Sequence, residues 1–313
     1  MFVTYSSIDT FRTCHRKYFY KYDQCIKPKK QAWPLLDGTA VHKGLEWLYA
    51  NRVWIDLPEG KKPIGWPCVA SFWPFLEGIY EGRSNESDEK EVESHKAYVK
   101  GMLTGYTLIY KADEFDSFIP EVQGEVYIKN SYLRDNGFTL GFKMDGILRK
   151  GSVSRILETK TTSSRGVVRF LNNLRLDDQS HTYLYGARSK GYPVVDILYN
   201  VICKVGFKQN QFESDEKFLK RIYQAYIDDS QRDPEKRKYY FRESIVRSPV
   251  ELAEWEEDVK QVTSDMEGYM KYKCPKRCGD YSGCEMLPLC EGADVIDELF
   301  VKKAGPHEEL LVA

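Results

Sequence analysis

The sequence predicts an α/β protein in which a mixed sheet is flanked by helices. Three observations lead to this prediction. Residues 38–115 carry apolar side chains at helical spacing, residues 121–161 alternate in the manner of strands, and a later amphipathic helix precedes a strongly apolar strand. Helices and strands in this order are typical of a sheet that is covered by helices.

Helices dominate the first part of the chain. The first helix can begin at Ser6 or Ser7, because serine is a preferred N-cap residue. A second helix, predicted at residues 38–50, carries His42, and a third follows a charged run. We therefore expect residues 38–115 to be largely helical.

Strands and helices alternate after Pro120. The dipeptide Asn136-Gly137 is a tight-turn signal between the first two strands. The tail after Cys290 is short and is expected to be peripheral. The predicted strands occupy residues 121–128, 138–148, 153–161, 194–205 and 239–245. The predicted helices occupy residues 177–190, 215–228 and 249–272.

The composition excludes several classes of protein. Apolar residues make up 42% of the 313 residues, which allows a sizeable core, and charged residues make up 30%. No apolar run is long enough to span a membrane. The first seven residues lack the layout of a signal peptide, so a cytoplasmic location and no membrane partner are expected.

Charge alone does not indicate a nucleic-acid partner, since the net charge is −1. Residues 12–30 are nevertheless basic, with seven Lys or Arg against one acidic residue, and four aromatic residues are interleaved. Such a stretch suits a phosphate backbone and stacked bases. A solvated helix face with a buried aromatic stripe explains it as well, and we favour that interpretation for this stretch taken alone.

The strongest functional signal is a hairpin that carries two carboxylates. Gly151-Ser152 is a two-residue turn of the kind that closes a β-hairpin. Counting outward from this turn places Asp145 opposite Glu158, with Cβ atoms about 5 Å apart. Strand alternation places Lys160 on the same face as Glu158 and sends Thr159 to the other face.

Two carboxylates held this close repel each other unless a cation lies between them. Oxygen ligands suit Mg²⁺ or Mn²⁺. With Lys160 nearby, Asp145 and Glu158 could support phosphodiester hydrolysis, in which a metal activates water and a cation stabilises developing charge. Taken alone, the pattern is more often a surface hairpin with an ordinary salt bridge.

Three further residues favour the functional interpretation. Gln179 and Tyr183 are four residues apart and therefore lie on one face of a predicted helix. Alone, they would be read as an exposed pair. A lone histidine is usually structural, but His42 beside two carboxylates would be a further metal ligand.

Together these segments resemble the RecB-like and Cas4-like branch of the PD-(D/E)XK nuclease superfamily. The resemblance is carried by GTAVHKGLE at residues 38–46, GFKMDGIL at 141–148, ILETKTT at 156–162 and QSHTYLYGA at 179–187. It covers most of residues 1–290 and is greatest to phage-encoded members. It implies a restriction-endonuclease-like sheet with a helical insertion.

The resemblance also implies roles for individual residues. His42, Asp145 and Glu158 would bind the metal, with help from the carbonyl of Thr159, and Lys160 would be the catalytic lysine. By the same resemblance, Gln179 and Tyr183 would form a pair that contacts DNA and orders the site.

Half of the eight cysteines lie within residues 274–290. Clustered cysteines in a cytosolic protein are more often metal ligands than disulfides. The segments TCHRKYFYKY at 13–22 and CGDYSGCEMLPLC at 278–290 resemble those of iron–sulfur members of the same branch. They imply a [4Fe–4S] cluster that clamps the two ends of the chain, with ligands Cys14, Cys278, Cys284 and Cys290.

Two alternatives stay open for this cysteine site. Zinc is the rival metal, although gaps of five residues fit a zinc knuckle poorly. Cys274 either is spare or replaces Cys278.

We expect five segments: an N-terminal helix (1–30), a helical region (31–119), the nuclease core (120–270), the cysteine segment (271–290) and a tail (291–313). The expected activity is Mg²⁺- or Mn²⁺-dependent hydrolysis of DNA. An exonuclease acting on ends or single strands is favoured, since no segment reads as a groove-reading motif. Partners in recombination or replication are expected from the resemblance.

Two other functions compete with this one. The chain could be a catalytically silent DNA-binding or scaffolding subunit, although all motif residues are present. It could also be a Cas4-like nuclease that processes DNA in a CRISPR-adaptation assembly. The sequence does not give cleavage polarity, strand preference or oligomeric state.

Overall fold

A computed structural model describes residues 1–57, 60–81, 89–111, 113, 115–279, 283–292 and 296–310. The strands are β1 (Phe2–Thr4), β2 (Ile26–Pro28), β3 (Val53–Leu57), β4 (Gly60–Gly65), β5 (Ser117–Lys129), β6 (Gly137–Lys150), β7 (Val153–Ser163), β8 (Val194–Lys204), β9 (Tyr240–Ile245) and β10 (Phe300–Lys302). The helices are α1 (Tyr5–Thr13), α2 (His15–Tyr18), α3 (Trp33–Ala50), α4 (Val69–Glu77), α5 (Glu89–Ile109), α6 (Val167–Leu174), α7 (Asp178–Ser189), α8 (Asp215–Ser230), α9 (Pro249–Asp265), α10 (Leu287–Glu291) and α11 (Ile296–Leu299).

The central sheet is mixed, as the sequence predicts. Its order is β1-β6-β7-β8-β9, and β5 also pairs with β6. The pairs β1–β6 and β7–β8 are parallel, and the other pairs are antiparallel. The observed bounds of β5, β6, β7 and β8 enclose or nearly match the predicted ones. Hence α/β with a mixed sheet and flanking helices is confirmed.

Strand β6 changes partner along one of its edges. Strand β5 pairs along the other edge from residue 137 to 149. On the shared edge, β7 pairs with residues 146–150, and β1 pairs with residues 139–141. Asp145 lies between these two ladders. Consequently neither β1 nor β7 pairs with Asp145 on this edge, and its carboxylate can be reached from outside the sheet.

Helices cover both faces of the sheet. One hydrophobic cluster packs α3, α4, α5 and α8 against residues of β7 and β8, including Leu157 and Ile202. A second cluster packs α6 and α7 against the other face, where Ile156 and Val201 lie. Consecutive strand residues thus belong to opposite clusters, as pleating requires. The helices that precede β5 share their core with the sheet.

Some local expectations were wrong. Thr4, not Ser6 or Ser7, caps α1, and Ser7 completes a capping box with it. Within segment 31–119, the hairpin β3–β4 lies between helices α3 and α4. Helix α9 ends at Asp265 rather than near 272, since Gly268 adopts a left-handed conformation.

The tail is not peripheral. Strand β10 pairs with β2 near the N-terminus, and Phe300 is buried in the cluster that they share with Ile26. Lys27 forms an ion pair with Glu308. The tail therefore closes over the N-terminal segment, a contact that leaves no local pattern in the sequence.

Candidate active site

The predicted hairpin forms with the predicted register up to its last pair. Gly151 has a φ of +57°, and the ladder runs from Lys150–Val153 to Gly146–Leu157. It stops one pair before Asp145 and Glu158, so these two do not face each other in the ladder. Instead, an Asp145 carboxylate oxygen accepts a hydrogen bond from the backbone N–H of Thr159 at 2.7 Å.

Each carboxylate is paired with one basic side chain. His42 on α3 lies 2.9 Å, Nδ1 to Oδ1, from Asp145. Lys160 donates from Nζ to Oε1 of Glu158 at 2.8 Å. The structure therefore brings together His42, Asp145, Glu158 and Lys160, which the sequence places on three separate elements.

Glu158 is 3% exposed, and its Oε2 atom has no hydrogen-bond partner among the described residues. Burial and then the charge of Asp145 raise its pKa from 4.5 to about 7, against the opposing effect of Lys160. Such a carboxylate is held in an unfavourable environment. A cation in contact with it would relieve that cost.

Asp145 and His42 support each other's charged forms. Burial alone would raise the pKa of Asp145, but His42 and the N–H of Thr159 hold it below its ordinary value. Burial would lower the pKa of His42, but Asp145 raises it overall. Each side chain therefore favours the charged form of the other.

The helix that follows the hairpin supplies the Gln179–Tyr183 pair. Asp177 caps α7, and Gln179 donates from Nε2 to the Tyr183 hydroxyl at 2.9 Å. Both side chains are buried. Burial, followed by Glu158 and Asp145, raises the pKa of Tyr183 well above its ordinary value, which indicates that its hydroxyl lies near the two carboxylates.

A cleft of about 40 Å³ opens beside Asp145 and contains residues that the sequence did not indicate. Glu121 lines it from β5, at the position where the β5–β6 register skips Asp145. The φ of Glu121 is +42°, a left-handed conformation. Lys43 and Lys143 form ion pairs with Glu121 at 3.0 and 3.3 Å. The β5–β6 register places Glu121 opposite Asp145, so the pairing of these strands, which is a tertiary feature, brings Glu121 to the site.

The chemistry of this donor set fits Mg²⁺ or Mn²⁺. Asp145 and Glu158 offer oxygen atoms, one of them unpartnered and buried, and His42 offers an imidazole. In the free protein, His42 and Lys160 balance the two carboxylates. Across the part of the chain that the structure describes, no three or more His, Cys, Asp or Glu side chains are arranged to hold a metal ion.

The cysteines are all free thiols. Burial raises the pKa of Cys278, and the neighbouring thiols of Cys284, Cys14 and Cys274 raise it further. Burial and Cys284 raise the pKa of Cys290, to which Cys14 and Cys278 also contribute. Cys14 therefore lies within electrostatic reach of the C-terminal cysteines, although these thiols do not form a ready metal site.

Direct contacts join the two ends of the chain around these cysteines. The backbone N–H of Arg16 donates to the carbonyl of Tyr272 at 3.1 Å. Lys17 and Glu285 form an ion pair at 3.4 Å. The Tyr20 hydroxyl donates to the carbonyl of Leu289 at 3.2 Å. The N-terminal helices are thereby fixed beside residues 271–290.

None of the described helices combines the length and the hydrophobicity that a membrane span requires. No match to this chain was found among curated proteins. The family pattern of the PD-(D/E)XK nuclease superfamily matches residues 3–291, which is nearly the whole chain. Nucleases of this superfamily act on DNA and typically use Mg²⁺ or Mn²⁺. With this match and the α/β fold, the chain belongs to the PD-(D/E)XK nuclease superfamily.

Proposed function

We propose that this protein is a Mg²⁺- or Mn²⁺-dependent exonuclease that acts on DNA ends or single strands. The observation that carries the proposal is the buried carboxylate pair, Asp145 and Glu158, with the ammonium group of Lys160 beside it. A purely structural salt bridge would leave no buried carboxylate oxygen without a partner, whereas Oε2 of Glu158 has none among the described residues.

In this proposal Asp145 and Glu158 hold the metal, with His42 and the Thr159 carbonyl as further ligands. The bound metal would polarise the scissile phosphate and lower the pKa of water. The P–O bond to the leaving strand breaks as water oxygen adds to phosphorus. Lys160, which is 24% exposed, stabilises the negative charge that develops on the phosphate oxygens.

The Gln179–Tyr183 pair orders the carboxylate side of the site. Its internal hydrogen bond links the two buried side chains on α7, and Glu158 acts on the Tyr183 hydroxyl. Fixing the groups that surround a reacting phosphate is how a protein avoids reorganisation during the reaction. We assign the pair to positioning DNA and the metal ligands.

We further propose that Cys14, Cys278, Cys284 and Cys290 hold a [4Fe–4S] cluster, with zinc as the rival. The mutual effects of these four thiols on the pKa values of Cys278 and Cys290 support this set. Cys274 also acts on Cys278, so the exchange of Cys274 for Cys278 as a ligand stays the alternative. A cluster would cross-link the ends that already contact each other.

The sequence resemblance is greatest to nucleases that phages encode. It therefore points to recombination, replication or degradation of DNA in a host cytoplasm. The preference for ends or single strands rests on the sequence resemblance. The cleft at Asp145 is lined by charged side chains, including Lys43 and Glu121, together with apolar ones such as Leu45 and Phe118.

The test compares linear and circular DNA, single- and double-stranded, with Mn²⁺, Mg²⁺ or EDTA. Wild type should shorten linear DNA only when metal is present, and circles should stay intact. Asp145→Asn should lower the rate by about 10²-fold or more, because it removes a charge from the site. The control Asp233→Asn changes an exposed carboxylate far along the chain and should act as wild type.

Cleavage of circles would contradict exonuclease action while leaving the nuclease assignment intact. DNA binding without cleavage of any substrate would instead favour the catalytically silent subunit.

A further inference from the structure

Tyr199 lies in the middle of β8, directly beside Glu158 on β7. The two residues are partners in the parallel β7–β8 ladder. Partners in adjacent strands project from the same face of the sheet, and neighbouring strands are about 4.8 Å apart. Tyr199 is completely buried, and the proposed mechanism gives it no role. Its side chain therefore stands next to that of Glu158, on the face that α7 covers.

Two buried oxygen atoms in this space lack a hydrogen-bond partner among the described residues. They are the hydroxyl of Tyr199 and Oε2 of Glu158. Buried polar atoms are almost always paired, through an ordered water where direct contact is impossible. Because the two side chains are neighbours on one face, a single water between them would satisfy both atoms.

Apolar side chains pack around Tyr199, and they include Ile156, Leu184 and Val201. Asp177, Tyr5 and Arg247 also act electrostatically on its hydroxyl, but less strongly than Glu158 does. Phenylalanine would fill the same space and would leave no buried hydroxyl without a partner. Burial and then Glu158 raise the pKa of Tyr199, which agrees with the closeness of the two groups. Glu158 is thus both the ladder neighbour of Tyr199 and the charged group with the largest effect on its hydroxyl.

We propose that Tyr199 is a positioning residue, whose hydroxyl holds Glu158 through one buried water in the orientation that binds the divalent cation. This inference rests on the proposed function, since it needs Glu158 to be a metal ligand. Groups that hydrogen-bond to ligating carboxylates typically change metal affinity by about 10- to 100-fold. Tyr199 would act on the metal only through Glu158.

The test measures Mn²⁺ binding to the metal-free protein by electron paramagnetic resonance, together with thermal unfolding in EDTA. Tyr199→Phe should weaken Mn²⁺ binding about tenfold and leave the unfolding temperature unchanged or higher. The matched control is Tyr240→Phe, another buried tyrosine, whose hydroxyl is paired with the carbonyls of Gly101 and Met102. It should lower the unfolding temperature by about 2 °C and leave Mn²⁺ binding unchanged.

The outcomes separate the two proposals. If wild type binds Mn²⁺, Glu158→Gln does not, and Tyr199→Phe binds it as tightly as wild type, the inference about Tyr199 is overturned and the proposed function stands. If Tyr199→Phe loses stability and Mn²⁺ affinity together, as a packing defect would, the positioning role is also overturned. If wild type binds no Mn²⁺, both proposals fail.

Discussion

Glu158 is a residue at which the structure departs clearly from the usual rules of polar burial. It is buried beside a second carboxylate, and one of its oxygens is unpartnered among the described residues. Lys160 compensates only in part, since the pKa of Glu158 stays raised. Sites that break the usual rules of polar burial are where function is expected.

The burial of the Glu158 carboxylate makes the free energy of unfolding depend on pH. The folded-state pKa of Glu158 is about 7, above its ordinary 4.5. The folded state thus binds more protons between these values, and the free energy of unfolding should fall as pH rises through this window. In EDTA, wild type should lose up to about 3 kcal/mol between pH 4.5 and 7.5 relative to Glu158→Gln.

Urea unfolding at several pH values measures this difference. Parallel pH profiles for wild type and Glu158→Gln would contradict the buried, destabilised carboxylate. Added Mn²⁺ should restore stability to wild type at pH 7.5 and should have little effect on the variant.

The sequence indicated most of the candidate site residues, but it did not indicate which residues they contact. The Gly151 turn determined the register of the hairpin as far as Gly146, because two-residue turns leave little freedom. The pairing of His42 with Asp145 spans 103 residues, and no local pattern reports such a contact. Tyr199 was missed for the same reason, since the parallel register of β7 and β8 depends on the crossover between them.

At the scale of elements, the site lies where strand β6 changes its pairing partner. Strand β6 keeps β5 along one edge and exchanges β7 for β1 along the other. Periodicity located β5, β6, β7 and β8, because it reports which face of a strand is buried. It does not report pairing partners. For that reason β1 and the position of Glu121 opposite Asp145 were found only in the structure.

Close packing of α5 against α8 and β9 should be essential for the helical layer. A Cβ atom added at Gly105 would lie 3.0 Å from the backbone oxygen of Tyr226 and would also clash with the Tyr240 hydroxyl. Gly105→Ala should therefore lower the free energy of unfolding by about 1–3 kcal/mol, even though alanine favours helix by about 1 kcal/mol.

Chemical denaturation of this variant checks the prediction. The control is Gly78→Ala, whose added Cβ would lie 4.0 Å from Oε1 of Glu81, its nearest atom among the described residues. A Gly105→Ala variant that is as stable as wild type would mean that α5 and α8 do not pack as described.

At the scale of the whole molecule, the two ends of the chain are held together. Strands β2 and β10 pair, and Lys17 and Glu285 form an ion pair. The proposed cluster would add a covalent link between the same regions. The cysteine spacing suggested that link, whereas the pairing of β2 with β10 could not be predicted from two strands of three residues each.

Metal content tests the proposed cysteine set. Protein purified without oxygen should contain about four iron and four sulfide per chain. Cys284→Ser should lose the iron and unfold at a lower temperature. Cys274→Ser should keep its iron and the unfolding temperature of wild type. Colourless protein with stoichiometric zinc would contradict the cluster, and loss of iron in Cys274→Ser but not in Cys278→Ser would exchange the two ligands.

The central claim is that Asp145, Glu158 and Lys160 form a hydrolytic site for DNA. Its most direct test is single-turnover cleavage of end-labelled DNA by wild type and Lys160→Ala with Mn²⁺. Lys236→Ala serves as control, because Lys236 is an exposed lysine away from the site. The account predicts that Lys160→Ala cleaves about 10²- to 10³-fold more slowly while it stays folded. Equal rates for wild type and Lys160→Ala would contradict it.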